Sequence, residues 1–265
     1  MNETLLLARD GAVATLTLNR PESLNVLNVD MMDALVAHTV ALANDTTVRC
    51  VVIQGTGKHF MAGGDIRMFA ERLANPAVEP QREFMNIIER VHAAIEQLHR
   101  MPQPVVASVR GAVAGFGLSL MGACDLAIAA DTAYFTSAYR HLGVTPDGGS
   151  TWTLPRLVGV KKAMEIVLLG DRFDAQEALR LGIVNRVVPD ANLAEATTAL
   201  ANALASGPAL AMANGKRLIN QSLSQSLSGQ LAAEAASFAA CAARPDFAEG
   251  VRAFLDKRPP RFGQS

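Results

Sequence analysis

Cysteine is scarce in this 265-residue chain: Cys50, Cys124 and Cys241 are odd in number, far apart and without a C-x-x-C pair. That argues against a disulfide framework and a thiolate zinc site, and points to reduced, buried thiols. Net charge is nearly absent too. The 24 Lys and Arg against 25 Asp and Glu leave −1, with the basic residues dispersed, so there is no electrostatic footprint for nucleic acid. No uninterrupted apolar stretch is long enough to span a bilayer. The first ten residues carry one short apolar run, Leu5 to Ala8, with neither a basic n-region nor a small-residue cleavage pattern. The expectation is a cytoplasmic protein whose partner is a small molecule, with no nucleic acid and no membrane involved.

What is present is a chain of 28.0 kDa, half of it hydrophobic. It can bury a substantial core as one large domain with or without a smaller extension. Ala12 to Leu18 alternates and stops at Asn19-Arg20-Pro21, which predicts a strand and a turn. Val48 to Gln54, Val105 to Val109 and Leu126 to Ala130 are near-continuous apolar runs. Such runs suit strands buried on both faces, hence a largely parallel sheet covered by helices and an α/β class. Apolar residues from Phe84 to Leu98 recur at helical spacing and predict a long amphipathic helix ending before Pro102. Leu73 to Gln81, with Asn75-Pro76 and Pro80, cannot be helical throughout and is expected as a mobile loop. Asp174 to Glu177 has a capping-box pattern, and Gly182 stops that helix before a β-like run, Ile183 to Val188. From about Asp190 the pattern becomes alanine-rich and helical: Leu193 to Ala205, Leu210 to Leu223 and Leu231 to Ala243, punctuated by Gly207-Pro208 and Gly229. The expected division is a core over 1–190 and a helical C-terminal subdomain over 191–265.

Two glycine-bearing turns carry the chemistry. Met61-Ala62-Gly63-Gly64-Asp65 and the stretch Gly111 to Ser119 each follow a β-like run and precede a helical one, which hints at an internal repeat around 50–70 and 105–124. Glycine lets a substrate oxygen approach unpaired backbone N–H groups, and two such donors can hold the charge that develops on a carbonyl oxygen. In isolation Gly63 and Gly64 fit an ordinary turn equally well. Gly115-Phe116-Gly117 lacks the third glycine of a dinucleotide fingerprint, because Leu120 occupies it. Gly117-Leu118-Ser119-Leu120-Met121 lacks the second glycine of a nucleophile elbow, and no Walker loop is present.

Five segments resemble the enoyl-CoA hydratase/isomerase, or crotonase, superfamily. They are Leu18 to Glu22 with Asn25 to Asn28, Phe60 to Ile66, Gly111 to Leu120 with Cys124-Asp125, Gly143 to Gly149 with Leu154 to Arg156, and Ala178 to Val184. They span nearly the whole chain in the family's order. The resemblance implies a spiral of ββα units, a helical C-terminal oligomerisation region forming a homotrimer or dimer of trimers, and an acyl-CoA thioester as substrate. Coenzyme A is then part of the substrate, with no separate cofactor and no metal. It places the oxyanion-hole N–H groups at Gly64 and Phe116. Ala62 and Ile66 would lie along the coenzyme, and Phe254 and Lys257 would reach an acyl-CoA on a neighbouring subunit.

The resemblance also discriminates between chemistries. Where hydrating members carry two glutamates, this chain has Ser119 and Tyr139. Neither is a carboxylate base, so two-glutamate hydration is not expected, and both residues become pocket groups. Asp147 matches the position at which isomerase and dehalogenase branches carry a catalytic aspartate. One carboxylate suits a 1,3-proton shift, since it can remove a proton from one carbon and return it two carbons away. The favoured reading is an enoyl-CoA isomerase. A hydratase with atypical residues, an aryl-CoA dehalogenase, a ring-isomerase and a non-catalytic acyl-CoA-binding protein remain alternatives. Plainer roles stand beside these. Asp147 fits a helix N-cap, and Asp65, within the coenzyme-binding stretch, fits a helix-start acid. Arg67 is a solvated residue or a phosphate contact, and Tyr139 a pocket wall. Trp152 is expected in the core, and His92 and His99 on the solvent side of their helix.

Overall fold

The computed structural model describes residues 3–263. Its main sheet has six strands in the order β1 (Leu5–Asp10), β2 (Val13–Leu18), β3 (Cys50–Gly55), β4 (Val105–Val109), β6 (Leu126–Ala130) and β9 (Arg186–Val188). Only β1–β2 is antiparallel, as a hairpin closed at Gly11; the other pairs are parallel. A smaller sheet holds β5 (Ala112–Ala114), β7 (Tyr134–Thr136) and β8 (Phe173–Asp174). All five residues of β4 are buried, as its near-continuous apolar run requires of a strand covered on both faces, with Ser108 paired to Thr197 at 2.8 Å.

Three strand–strand–helix units wind around this frame. The first runs from β3 through Met61, which bridges in parallel to Val113, into α2 (Ile66–Ala74). The second is β4, β5 and α4 (Phe116–Gly122); the third is β6, β7 and α5 (Ser150–Leu169). The repeat hinted at in the sequence is the first two of these. One face of the sheet is covered by α1 (Val29–Asn44) and α3 (Pro80–Arg100), which pack on each other, and the second by α7 (Leu193–Ala205).

Most expected elements are present with small shifts of boundary. The helix expected over 84–98 extends to Pro80–Arg100, because Pro80 sits at the first turn, where its missing N–H costs nothing, and Glu79 caps Gln81 and Arg82. The expected loop at 73–81 therefore shrinks to the residues between α2 and α3. The capping box is present: Asp174 accepts from Glu177 N at 2.8 Å at the start of α6 (Ala175–Arg180). Gly229 does not break a helix; it lies inside α9 (Leu227–Ala242), its N–H accepted by the Ser226 cap. The remaining helices are α8 (Ala209–Ser222) and α10 (Pro245–Leu255). Lys216 ties α8 to the core, reaching Asp125 at 2.8 Å and the carbonyls of Leu98 and Gln103.

Candidate active site

The two glycine turns meet at the C-terminal side of β3 and β4. Met61 N donates to Ala112 O and Ala114 N to Met61 O, which zips the turns together. Leu27 N donates to Gly63 O and Asp65 N to Leu27 O, so the first turn is held on its other side as well. Glycine is required where they touch: a Cβ on Gly117 would stand 2.4 Å from Met61 O. The separation is short, since a Cβ on Gly63 would lie 3.9 Å from Phe116 N. Among the described residues, the N–H groups of Gly64 and Phe116 have no hydrogen-bond acceptor. Two unpaired donors from separate, closely spaced segments can both donate to one oxygen.

Beneath the first turn lies a polar anchor. Asn25, fully buried, accepts from Arg20 N and donates to Thr56 O and His59 O, which fixes the chain on either side of β3's exit. Asp65 is the N-cap of α2, accepting from Arg67 N and Met68 N, and pairs with Arg20 at 3.0 Å. Its carboxylate is committed to these partners, the helix-start role expected for it. Ala62 is half-buried, whereas Ile66 and Arg67 are exposed at the rim.

Asp147 is brought to the second turn by the segment before α5. Gly148 and Gly149 follow it with φ of +59° and +81°, a left-handed pair that presses the chain onto α4. The capping alternative fails, since Gly149 occupies the N-cap of α5 and the Asp147 side chain caps nothing. Instead Tyr139, in a single 3-10 turn over Tyr139–Leu142, donates its hydroxyl to Asp147 Oδ1 at 2.5 Å. Ser119, fully buried on α4, donates to the Asp147 carbonyl at 2.8 Å, and its oxygen lies 3.3 Å from the Tyr139 hydroxyl. Ser119 and Tyr139, the two positions the resemblance singled out, thus converge on one aspartate.

Burial pushes the Asp147 carboxyl above its ordinary value of 3.8, opposed by the Tyr139 hydrogen bond. Burial, and then the Asp147 charge, push the Tyr139 phenol upward, so it stays a protonated donor. The site is a half-desolvated carboxylate with one oxygen held by a phenol, next to two free N–H donors. Such a set can abstract and return a proton beside a carbonyl.

Three expectations need correction. His92 and His99 do not lie on the solvent side of α3. His92 Nε2 accepts from Gly148 N at 3.1 Å, and the His99 ring meets Trp152 edge-on at 5.1 Å. Trp152 is 42% exposed rather than core, with the Arg156 guanidinium 3.8 Å over its ring. Cys124 and Cys241 are only partly buried, though all three thiols are free. His59 and His141 bond backbone, at Ala112 N and Gly170 O, and no His, Cys, Asp or Glu cluster among the described residues could hold a metal ion.

Phe254 and Lys257 are exposed and distant from this site within the chain. Phe254 lines a cavity of about 960 Å³ that includes Val48 and Pro104, residues just ahead of β3 and β4, at the opposite end of the sheet. No helix among the described residues is long and apolar enough to cross a membrane.

A parallel-sheet α/β enzyme with paired backbone donors beside a half-buried carboxylate is the class this fold and site define. The family model for enoyl-CoA hydratase/isomerase matches residues 8–265, and the chain belongs to that family, whose members act on acyl-CoA substrates. The chain is 36% identical over 262 residues to a 1,2-epoxyphenylacetyl-CoA isomerase of Escherichia coli, covering 99% of each protein. It is 34% identical to a crotonyl-CoA hydratase of Syntrophomonas wolfei, covering 98% of each. The crystal structure of an enoyl-CoA hydratase from Polaromonas sp. JS666 superposes with a TM-score of 0.90 at 36% identity, covering 98% of this chain and 99% of that one. The fold is therefore the crotonase fold, with its helical C-terminal region.

Proposed function

We propose that this enzyme is an enoyl-CoA isomerase with Asp147 as its single base. The thioester oxygen sits on the N–H groups of Gly64 and Phe116. Asp147 removes a proton from C2 of a 3-enoyl-CoA, the electron pair spreads into a dienolate held by those donors, and the same carboxyl returns the proton to C4. The double bond moves into conjugation, and atoms and charge balance without another reactant. The observation that carries this reading is the convergence of Tyr139 and Ser119 on Asp147. With Oδ1 held by the phenol, Oδ2 is left to carry the proton. The upward push on the carboxyl by burial favours the return step.

Ala62 and Ile66 line the coenzyme's path, and Arg67, exposed at the rim, meets its phosphates. The reaction needs no cofactor beyond the acyl-CoA. A homotrimer or dimer of trimers accounts for the apolar side chains left in solvent on the C-terminal helices, among them Ile219, Leu227, Phe238 and Phe254, 67–84% exposed. Phe254 and Lys257 would then act at a neighbouring copy's site. A second reading, isomerisation of a ring-bearing acyl-CoA, is favoured by the likeness to the Escherichia coli protein over the full chain.

The test is NMR of a 3-enoyl-CoA with the enzyme in D₂O, following the double bond and deuterium at C2 and C4. Conversion to the 2-enoyl product supports the linear reading, with protium at C4 where the carboxyl returns the proton it took and deuterium where it exchanges with solvent first. Neither double-bond migration nor exchange at either carbon refutes it for that substrate and brings the ring-bearing substrate forward.

A further inference from the structure

We propose that His92 is a positioning residue for the base, clamping with Ser119 the two ends of the Asp147–Gly148 peptide. The carbonyl of that peptide accepts from Ser119 on α4, and its N–H donates to His92 Nε2 on α3, at 2.8 and 3.1 Å. Carbonyl and N–H point in opposite directions across one planar group, so two side chains on two different helices fix its rotation. The group most needs this where it stands. Gly148 and Gly149 both have positive φ, and a pair of glycines imposes little conformational preference of its own. Tyr139 sets the side chain of Asp147 through Oδ1. His92 and Ser119 set the backbone from which it projects.

The role assigns a protonation state. To accept from Gly148 N–H, Nε2 must be bare, so the imidazole is neutral with its proton on Nδ1. His92 is half-buried, on the face of α3 that meets the beginning of α5, where Ile95 comes within 3.8 Å of the Cβ position of Gly149. A leucine there keeps the packing and loses the acceptor. A glutamine reaches a similar depth and offers Oε1 as an acceptor.

The kinetic arm of the test rests on Asp147 being the base; the spectroscopic arm does not. Two-bond proton–nitrogen spectra of the ¹⁵N-histidine-labelled full chain read the tautomer of each of its five histidines, and His92→Leu identifies the His92 signal. A neutral Nδ1–H tautomer with bare Nε2 at neutral pH is expected; an Nε2–H tautomer or a charged ring overturns the clamp. For turnover of a 3-enoyl-CoA, His92→Leu lowers kcat about 10- to 100-fold with KM nearly unchanged, as displacement of a catalytic group by about 1 Å does. His92→Gln recovers most of that loss. A leucine variant with wild-type kcat, or a glutamine variant no better than a folded leucine one, overturns the role. Should the wild-type enzyme turn over no 3-enoyl-CoA, the isomerase reading fails and the tautomer alone decides the clamp. Should the leucine variant fail to fold, the tautomer and the glutamine variant decide it.

Discussion

Gly148→Ala tests how tightly the base is seated. An alanine Cβ at this position would stand 2.7 Å from Ser119 Cβ and 2.8 Å from Phe116 Cε2, both on α4. The backbone there has φ of +59°, which costs an L-residue about 1–2 kcal/mol. Forcing a methyl group into a filled contact adds about 1–3 kcal/mol. The expected total is about 2–5 kcal/mol. Gly143 supplies the control: φ is +71° and nothing lies within 4 Å of its Cβ position, so Gly143→Ala carries the backbone cost alone. The gain from reducing unfolded-chain entropy is common to both and cancels in the comparison. Urea unfolding at one fixed protomer concentration should place Gly148→Ala about 1–3 kcal/mol below Gly143→Ala. Because α4 carries both Ser119 and Phe116, the added methyl also pushes Asp147 away from the donors, and turnover falls by about 100-fold in Gly148→Ala only. Equal stability of the two variants, or full activity in Gly148→Ala, would refute the argument that this turn is pinned against α4.

Asp147→Asn removes the base while keeping an acceptor for Tyr139, so turnover drops by at least about 10²–10⁴ with acyl-CoA binding retained; calorimetric titration with a thioester substrate checks both halves. The same change affects stability. A carboxyl raised in the folded state contributes stability that is present below its unfolded value and lost as pH rises through the folded one, so at neutral pH Asp147→Asn melts higher than wild type. In Tyr139→Phe the lost phenol bond had favoured the ionised carboxylate, so the acid limb of the pH–rate profile moves further above 3.8; a limb unmoved or moved downward contradicts the geometry. Lys216→Met leaves Asp125 without its partner in a largely buried pair, with side chains 8% and 22% exposed, and denaturant titration should show a loss of about 3–5 kcal/mol.

The main sheet was legible because its strands are simple. β4 and β6 are five-residue runs, apolar but for Ser108, and their boundaries in the sequence are those in the structure. The second sheet was not, because β5, β7 and β8 are two or three residues long, too short for any alternation to register. Their role is nonetheless large, as β5 delivers the second glycine turn against the first. The site was readable as a set of residues and unreadable as a geometry. Ser119, Tyr139 and Asp147 lie within 28 residues of one another, yet nothing in their spacing shows that a hydroxyl and a phenol both turn onto the aspartate. That depends on a 3-10 turn entered through Ala138 at φ of +59°, a conformation that alanine does not advertise.

His92 shows where a signal existed and was passed over. The apolar stripe of α3 draws attention to its buried positions, Val91, Ala94 and Leu98. Beside that stripe, His92, Ile95 and His99 are spaced i, i+3, i+7 and therefore share a face of their own. In the structure this second face lies along the beginning of α5: His92 on Gly148, Ile95 on Gly149, His99 on Trp152. Two partly polar rings at helical spacing are a costly choice for solvent-facing positions that lysine or glutamate would fill at least as well. They suit a contact with one polar target and one aromatic one. The helix thus does two separate jobs, packing on α1 with one face and, on our proposal, aiming the base with the other. Substitutions on the two faces should accordingly separate: changes at Val91 or Leu98 lower stability with turnover retained in the folded protein, whereas His92→Leu lowers turnover, with a stability loss no larger than the about 1–3 kcal/mol of one unpaired Gly148 N–H.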